Sequence, residues 1–302
     1  MVTRAAPRPA GAGTHPTRSV TAADGVRVAV HELGGAGPPL VLAHATGFHG
    51  AVWGPLAEGL TPHWRCVSPD LRGHGDSPLP LRAGFDWRGF GADVLAVVDE
   101  LGLERPLGVG HSSGATALLL AEQAAPGTFA ALYCFEPIIV PAVPPLGPDP
   151  DNWLAHAARR RRAAFPGRAD ALRHYAGKPP LSELDPRALR AYVDHGFADV
   201  PGGGVRLKCT PEHEALVYET ATAHECFVHL DRVRCPVTLA RGGRSDAFTS
   251  PLAAAVARRL AAGRLEEHPT LGHLGPLEDP ETVAAAIRRA VASDGRGPRY
   301  AG

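Results

Sequence analysis

The residue whose neighbours best equip it for chemistry is Ser112. It lies in Gly110-His111-Ser112-Ser113-Gly114-Ala115, a Gly-x-Ser-x-Gly string that follows the apolar run Leu107 to Val109 and leads directly into a segment of small and apolar residues. A serine held on a sharp strand-to-helix turn projects its hydroxyl above the sheet, and only glycine on both sides lets the backbone approach so closely. The same turn puts the Ser113 N–H at the start of the helix, where it faces the oxyanion formed when a hydroxyl adds to a carbonyl, helped by the helix dipole. Ser113 carries the other hydroxyl of the string, but its position is the one whose amide the chemistry needs. The pattern therefore points to nucleophilic attack by Ser112 on an acyl carbon.

Other constellations are weaker. Cys209, His213, His224, Cys226 and His229 lie close together, but their spacing matches no standard zinc pattern and forms no His-Glu-x-x-His, so no metal is expected. No Gly-x-Gly-x-x-Gly or Walker-type loop follows the first buried strand, so neither a dinucleotide nor a nucleoside triphosphate is implied. The expected chemistry needs no cofactor. The longest basic run, Arg159 to Arg162, reads as a solvated helix face, with a local anion site as the alternative.

Ser112 needs a scaffold that ends a strand beneath it. Short continuous apolar runs, Leu40 to Ala43, Cys66 to Ser68, Leu107 to Val109, Ala130 to Phe135, Val237 to Ala240 and Leu265 to His268, read as buried strands. Segments of helical period stand between most of them, notably Trp87 to Leu101, Ser113 to Ala125, Pro251 to Ala262 and Pro280 to Val291. That alternation predicts an α/β fold with a mostly parallel, doubly wound sheet. Asp24-Gly25 marks a hairpin turn between two edge strands in Val20 to Glu32. From Ile138 to His229 no strand-like run occurs, and the interval is too long for a loop. It is expected to be a helical cap, entered through a Pro-rich stretch from Pro141 to Pro150, that lies over the ends of the sheet.

The chain has 302 residues, of which 44% are hydrophobic and 21% charged, a balance that folds into a large soluble core. Acidic and basic residues number 31 each, giving no net field to attract nucleic acid or an anionic membrane, so neither is expected as a partner. Lys178 and Lys208 are the only lysines; the other basic residues are arginines. Five scattered cysteines without a Cys-x-x-Cys pair suit a reducing cytoplasm. The first 18 residues lack the apolar stretch of a secretion signal and read as a flexible tail, as do residues 295–302.

The strings around these elements resemble the α/β-hydrolase family from about residue 20 to 292, which implies the α/β-hydrolase fold: a core of residues 19–137 and 230–294 and a helical cap of 138–229. His44-Ala45-Thr46-Gly47-Phe48, at the end of the run Leu40 to Ala43, looks like the family's oxyanion loop. By similarity the Thr46 amide is the second oxyanion donor beside Ser113. Ala45 stands where the family usually has glycine, which leaves open which amide of the loop points inward. Asp70-Leu71-Arg72-Gly73-His74-Gly75-Asp76-Ser77 is among the family's most recognisable strings, and its role there is structural. Gly272-His273-Leu274-Gly275-Pro276, after the last strand, is where the family keeps its general base, so the resemblance assigns that role to His273 among 15 histidines. For the acid that orients His273, the turn Gly243-Arg244-Ser245-Asp246 favours Asp246, with Glu136 at the end of the run Ala130 to Phe135 as the alternative. Phe48 and Trp53 are candidates to line the substrate pocket, with a core role as the alternative.

The expected activity is hydrolysis of an ester or lactone of a small organic molecule through an acyl-enzyme on Ser112. A serine at that position excludes relatives that open epoxides or remove halides through a carboxylate nucleophile. Carbon–carbon bond hydrolysis, a cofactor-free oxidative reaction, or a non-catalytic role as a small-ligand receptor remain alternatives on the same fold. Assembly into a homo-oligomer stays open.

Overall fold

Each apolar run of the sequence becomes a strand of one eight-stranded sheet, whose spatial order is β1-β2-β4-β3-β5-β6-β10-β11. The strands are β1 (Arg18–Thr21), β2 (Arg27–Gly34), β3 (Pro39–Ala43), β4 (Arg65–Pro69), β5 (Leu107–His111), β6 (Ala131–Phe135), β10 (Val237–Gly242) and β11 (Gly263–His268). Strand β2 runs antiparallel to both β1 and β4, and every pairing from β4 to β11 is parallel. The computed structural model describes residues 18–79 and 85–293. The expected tails, 1–18 and 295–302, lie outside the described residues apart from Arg18.

The strands alternate their side chains between two apolar layers, as a pleated ribbon must. Val41, Ala43, Val67, Leu132 and Cys134 enter one core with α2 (Arg88–Glu100), α3 (Ser113–Ala124) and α8 (Ser250–Ala257). Leu40, Leu42, Cys66, Tyr133 and Phe135 enter the other with α1 (Gly54–Glu58) and α10 (Pro280–Ser293). Burial on both faces explains why these strands read as continuous apolar runs rather than as alternating ones. From β3 the chain moves to β4 on one side and then to β5 on the other, so the sheet reverses its winding beside β3. In open parallel sheets the crevice at such a reversal, beyond the carboxyl ends of the strands, is where small molecules bind.

The segment between β6 and β10 carries α4 (Trp153–Arg159), α5 (Arg168–Ala176), α6 (Pro186–Gly196) and α7 (Pro211–Glu219). Three of these helices have a local start signal. Asn152, Asp185 and Thr210 each accept a hydrogen bond from the first turn, and Pro186 and Pro211 stand at the start of α6 and α7. Beside these helices, and not foreseen in the mostly helical reading of the insertion, β7 (Ala164–Phe165), β8 (Phe197–Asp199) and β9 (Val205–Leu207) form a small antiparallel sheet in the order β7-β9-β8. Strands of two or three residues are too short to display a period of two, so the sequence carries no alternation by which to find them. The short helix α9 (Gly275–Glu278) and then α10 close the described chain.

Candidate active site

Strand β5 ends in the Gly-x-Ser-x-Gly turn, and both glycines are required by close approach. A Cβ on Gly110 would lie 2.5 Å from Ala115 Cα, and one on Gly114 would lie 2.2 Å from the Ala43 carbonyl oxygen. Between them Ser112 takes φ 54° and ψ −121°, a conformation that side chains rarely adopt and that costs about 1–3 kcal/mol unless the surroundings enforce it. They do enforce it. The Ser112 N–H donates to the Phe135 carbonyl at 2.9 Å, tying the turn to β6, and the Ser112 carbonyl accepts from Thr116 N–H at 3.2 Å as α3 begins.

His273 follows β11 and places its Nε2 3.2 Å from Ser112 Oγ. Its Nδ1 lies 2.6 Å from Glu136 Oε2. A carboxylate only accepts, so Nδ1 carries the proton and Nε2 is left to accept from the serine hydroxyl. Glu136 is fully buried, also sits at positive φ (46°), and is pinned at both oxygens. Gly242 N–H donates to Oε1 at 2.8 Å and Ser245 O–H to Oε2 at 2.7 Å, while its own N–H donates to the Ala240 carbonyl.

The structure does not bring Asp246, the preferred candidate for the acid, to His273. Asp246 is exposed, and the carboxylate on His273 is that of Glu136, the alternative weighed above. The physical reason lies in the turn after β10. Its Gly242 amide and Ser245 hydroxyl are donors aimed at Glu136, so this turn completes the hydrogen bonding of a carboxylate that comes from β6.

His111, which sequence reasoning left unassigned, joins the two halves of this arrangement. Its Nε2 donates to the His273 carbonyl at 2.8 Å, and the two rings lie 5.0 Å apart. Burial, followed by the charge of His273, holds its pKa well below the ordinary histidine value, so it is a neutral donor. Its place inside the Gly-x-Ser-x-Gly string was the one available signal. Gly272 N–H donates to Glu278 Oε2 at 2.9 Å, which fixes the residue before the base.

Thr46 is buried on the loop that leaves β3. His44 Nε2 accepts from Leu71 N–H at 2.9 Å, so its Nδ1 is the donor to the Ala45 carbonyl at 2.8 Å. Burial, with a further contribution from His74, lowers the His44 pKa to about 3 and keeps the ring neutral. The Ala45 carbonyl also accepts from Phe48 N–H at 3.1 Å. In a planar trans peptide the N–H opposes the C=O, so the Thr46 amide points away from both of these donors. Ser113, 1% exposed, opens α3.

Phe48 is buried against Tyr192 of α6, with ring centroids 5.3 Å apart. Trp53 is corrected to a core residue: the 3₁₀ turn Gly50–Trp53 rotates the indole inward, where it is 1% exposed among Leu40, Leu42 and Leu56. The Asp70 to Ser77 string folds on itself. Asp70 accepts from Gly50 N–H, Asp76 N–H and His31 Nε2, and Ser77 Oγ donates to the Asp70 carbonyl. Burial alone would raise the Asp70 pKa, but the hydrogen bond and charge of His31 outweigh it and hold the carboxyl below its usual range. Arg72 joins Asp93 and Asp24, and His74 Nδ1 bonds the Arg72 carbonyl. Among the described residues no three His, Cys, Asp or Glu side chains are grouped to hold a metal ion, and no helix is long and apolar enough to cross a membrane.

The Arg159 to Arg162 run divides. Arg159, Arg160 and Arg162 are exposed, whereas Arg161 turns inward to pair with Glu214 of α7, against the expectation of a wholly solvated face.

Comparison with known proteins agrees with this fold. The profile described as "Alpha/beta hydrolase family" matches residues 40–286. The lipase LipV of Mycobacterium tuberculosis is 30% identical over 271 residues, which cover 86% of this chain and 95% of that one. Among solved structures, E-2-(acetamidomethylene)succinate hydrolase superposes with a TM-score of 0.75 at 21% identity, over 91% of this chain and 98% of its own. The enol-lactonase of Burkholderia xenovorans LB400 does so with a TM-score of 0.68 at 18% identity, over 91% and 100%. At these identities the structural matches speak for the fold alone.

Proposed function

The chain belongs to the alpha/beta hydrolase family, and from that premise we propose that it is a serine hydrolase that cleaves a carboxylic ester or lactone of a small organic molecule. The observation that carries the reading is the unbroken relay from Ser112 Oγ through the His273 ring to the pinned carboxylate of Glu136.

In this reading His273 Nε2 takes the proton as Ser112 Oγ attacks the acyl carbon, and the Glu136 carboxylate offsets the imidazolium charge at Nδ1. The carbonyl oxygen becomes an anion that the Ser113 and Thr46 amides receive. His273 returns the proton to the departing alkoxide, leaving an acyl group on Ser112. Water, deprotonated by the same imidazole, then releases the acid. As the bond from the acyl carbon to Ser112 Oγ breaks, His273 returns the water's proton to that oxygen, which restores the starting state. The name of the lipase relative supports an ester over other acyl derivatives.

Labelling with a fluorophosphonate, followed by turnover of a panel of esters and lactones, tests the proposal. The expected result is one equivalent of label on Ser112, lost in Ser112→Ala, with hydrolysis of at least one ester or lactone class. Folded protein that takes no label and turns over nothing on the panel would overturn it in favour of a small-ligand receptor.

A further inference from the structure

We propose that the part-buried pair Arg161–Glu214 is a positioning device that clamps the oxyanion loop from the side of the inserted segment, an inference that rests on the serine-hydrolase reading above. The turn in question is Gly47, the residue after Thr46. It sits at φ +80°, and a Cβ built on it would lie 3.0 Å from Glu214 Oε1 and 3.3 Å from Arg161 Nη1. The inserted segment thus places an ion pair in contact distance of the loop, one residue from the Thr46 amide.

The pair is held on both sides. Glu214 lies in the first turn of α7, behind the Thr210 cap. Arg161 follows α4, and its N–H donates to the Ala158 carbonyl at 3.0 Å. Helices α4 and α7 meet through Ala155, Ala158 and Ala215, all fully or nearly fully buried, so their backbones approach closely and leave the pair little freedom. The Arg161 guanidinium donates to Glu214 and to the Tyr192 hydroxyl, with Tyr175 Oη at 3.5 Å. Tyr192 in turn packs its ring at a tilt against Phe48, the residue after Gly47. A planar fork with several fixed acceptors is a rigid object, whereas an alkyl ammonium would be a mobile point charge.

The opposite side of the loop is held independently. His44 grips the Ala45 carbonyl, and Asp70 accepts from Gly50 N–H at 2.7 Å. The Thr46 N–H belongs to the Ala45–Thr46 peptide, whose carbonyl His44 and Phe48 N–H hold; the Arg161–Glu214 pair backs the next link, at Gly47, and so fixes where the loop carries that peptide. An oxyanion donor acts only if it is aimed in advance at where charge develops, so loss of the clamp acts on the transition state and not on ground-state binding. Arg161 and Glu214 are positioning residues in this account; neither needs to touch substrate.

The experiment compares Glu214→Gln and Arg161→Met with the parent enzyme on a substrate it hydrolyses, and measures inhibition by a trifluoromethyl ketone. In that adduct Ser112 oxygen bonds to the ketone carbon, its proton passes to His273, and the ketone oxygen becomes the anion the loop must receive. Removal of a whole oxyanion donor costs about 10²–10³ in kcat, so a misaimed one is expected to lower kcat by about 10-fold or more, with KM changed by less than about threefold. Ketone affinity should fall in step with kcat/KM. The double variant should be no worse than the poorer single one, as for two parts of one device. Should Arg161→Met not fold, Glu214→Gln, which keeps the shape and removes only the charge, carries the test. Variants that lose thermal stability but keep kcat and ketone affinity would overturn the clamp and leave a purely structural pair. A parent enzyme that takes no fluorophosphonate label fails earlier, at the reading of Ser112.

Discussion

At the scale of single residues, the assignment of the acid is the sharpest consequence of the geometry. Glu136→Gln keeps the volume but cannot hold the imidazole in the tautomer that leaves Nε2 free, so kcat should fall by about 10²–10⁴ while Asp246→Asn stays within about twofold of the parent. Steady-state kinetics on the two variants decide it, and a fully active Glu136→Gln would return the role to another group. Ser245 and Gly242 gain a purpose from the same view, since each spends its donor on Glu136. Ser112 was legible in the sequence because its signal is local: two glycines, a preceding apolar run and a following helix, all within a few residues. The acid was not, because both strand ends carry a carboxylate and only tertiary placement brings one of them to the His273 loop. The sequence offered two candidates, and the fold surrounds Glu136 with donors beside His273 and leaves Asp246 exposed.

At the scale of the element, the strand-to-helix turn after β5 trades stability for a projecting hydroxyl. Ser112→Gly removes the nucleophile but relieves the positive φ of 54°, so it should abolish hydrolysis and raise stability by about 1 kcal/mol. Gly114→Ala should do the reverse to the fold, lowering stability by about 1–3 kcal/mol or more, because its new Cβ would press on the Ala43 carbonyl that closes β3. Urea midpoints of the two variants test both signs. An unchanged midpoint for Gly114→Ala would mean that β3 and α3 are less tightly apposed than 2.2 Å demands. Elements with many residues in register, such as β3, β5 and α3, were readable from apolar runs and helical period. The strands β7 to β9 were not, because Phe165 and Phe197 are single buried residues in two- and three-residue pieces, and Val205 and Leu207 give β9 only one step of alternation, too little to count as a repeat.

At the scale of the whole molecule, the protonation of buried histidines sets the acid limit of the fold. Burial is the first cause in every case: it lowers His44 and His49 to about 3, His74 and His224 to about 4, and His111 well below the ordinary value. These imidazoles stay neutral when folded but take up a proton near pH 6.5 when the chain unfolds. The unfolded state therefore binds more protons below pH 6.5, and stability falls as pH drops from there toward the folded values of about 4 and 3. At pH 5.5 each such histidine costs about 1.4 kcal/mol, so the five together remove several kcal/mol, a large part of the 5–15 kcal/mol that domains ordinarily possess. Asp70, whose carboxyl is held below its usual range, adds its own loss only at still lower pH, which keeps the two effects apart. Urea unfolding at pH 7.5, 6.5 and 5.5, at constant ionic strength, should show the midpoint falling steeply over the last unit. A midpoint that is flat from 7.5 to 5.5 would mean that these rings are charged, or reached by water, inside the folded protein. The neutral donor roles argued for His44 on the oxyanion loop and His111 on the base would then fall with it.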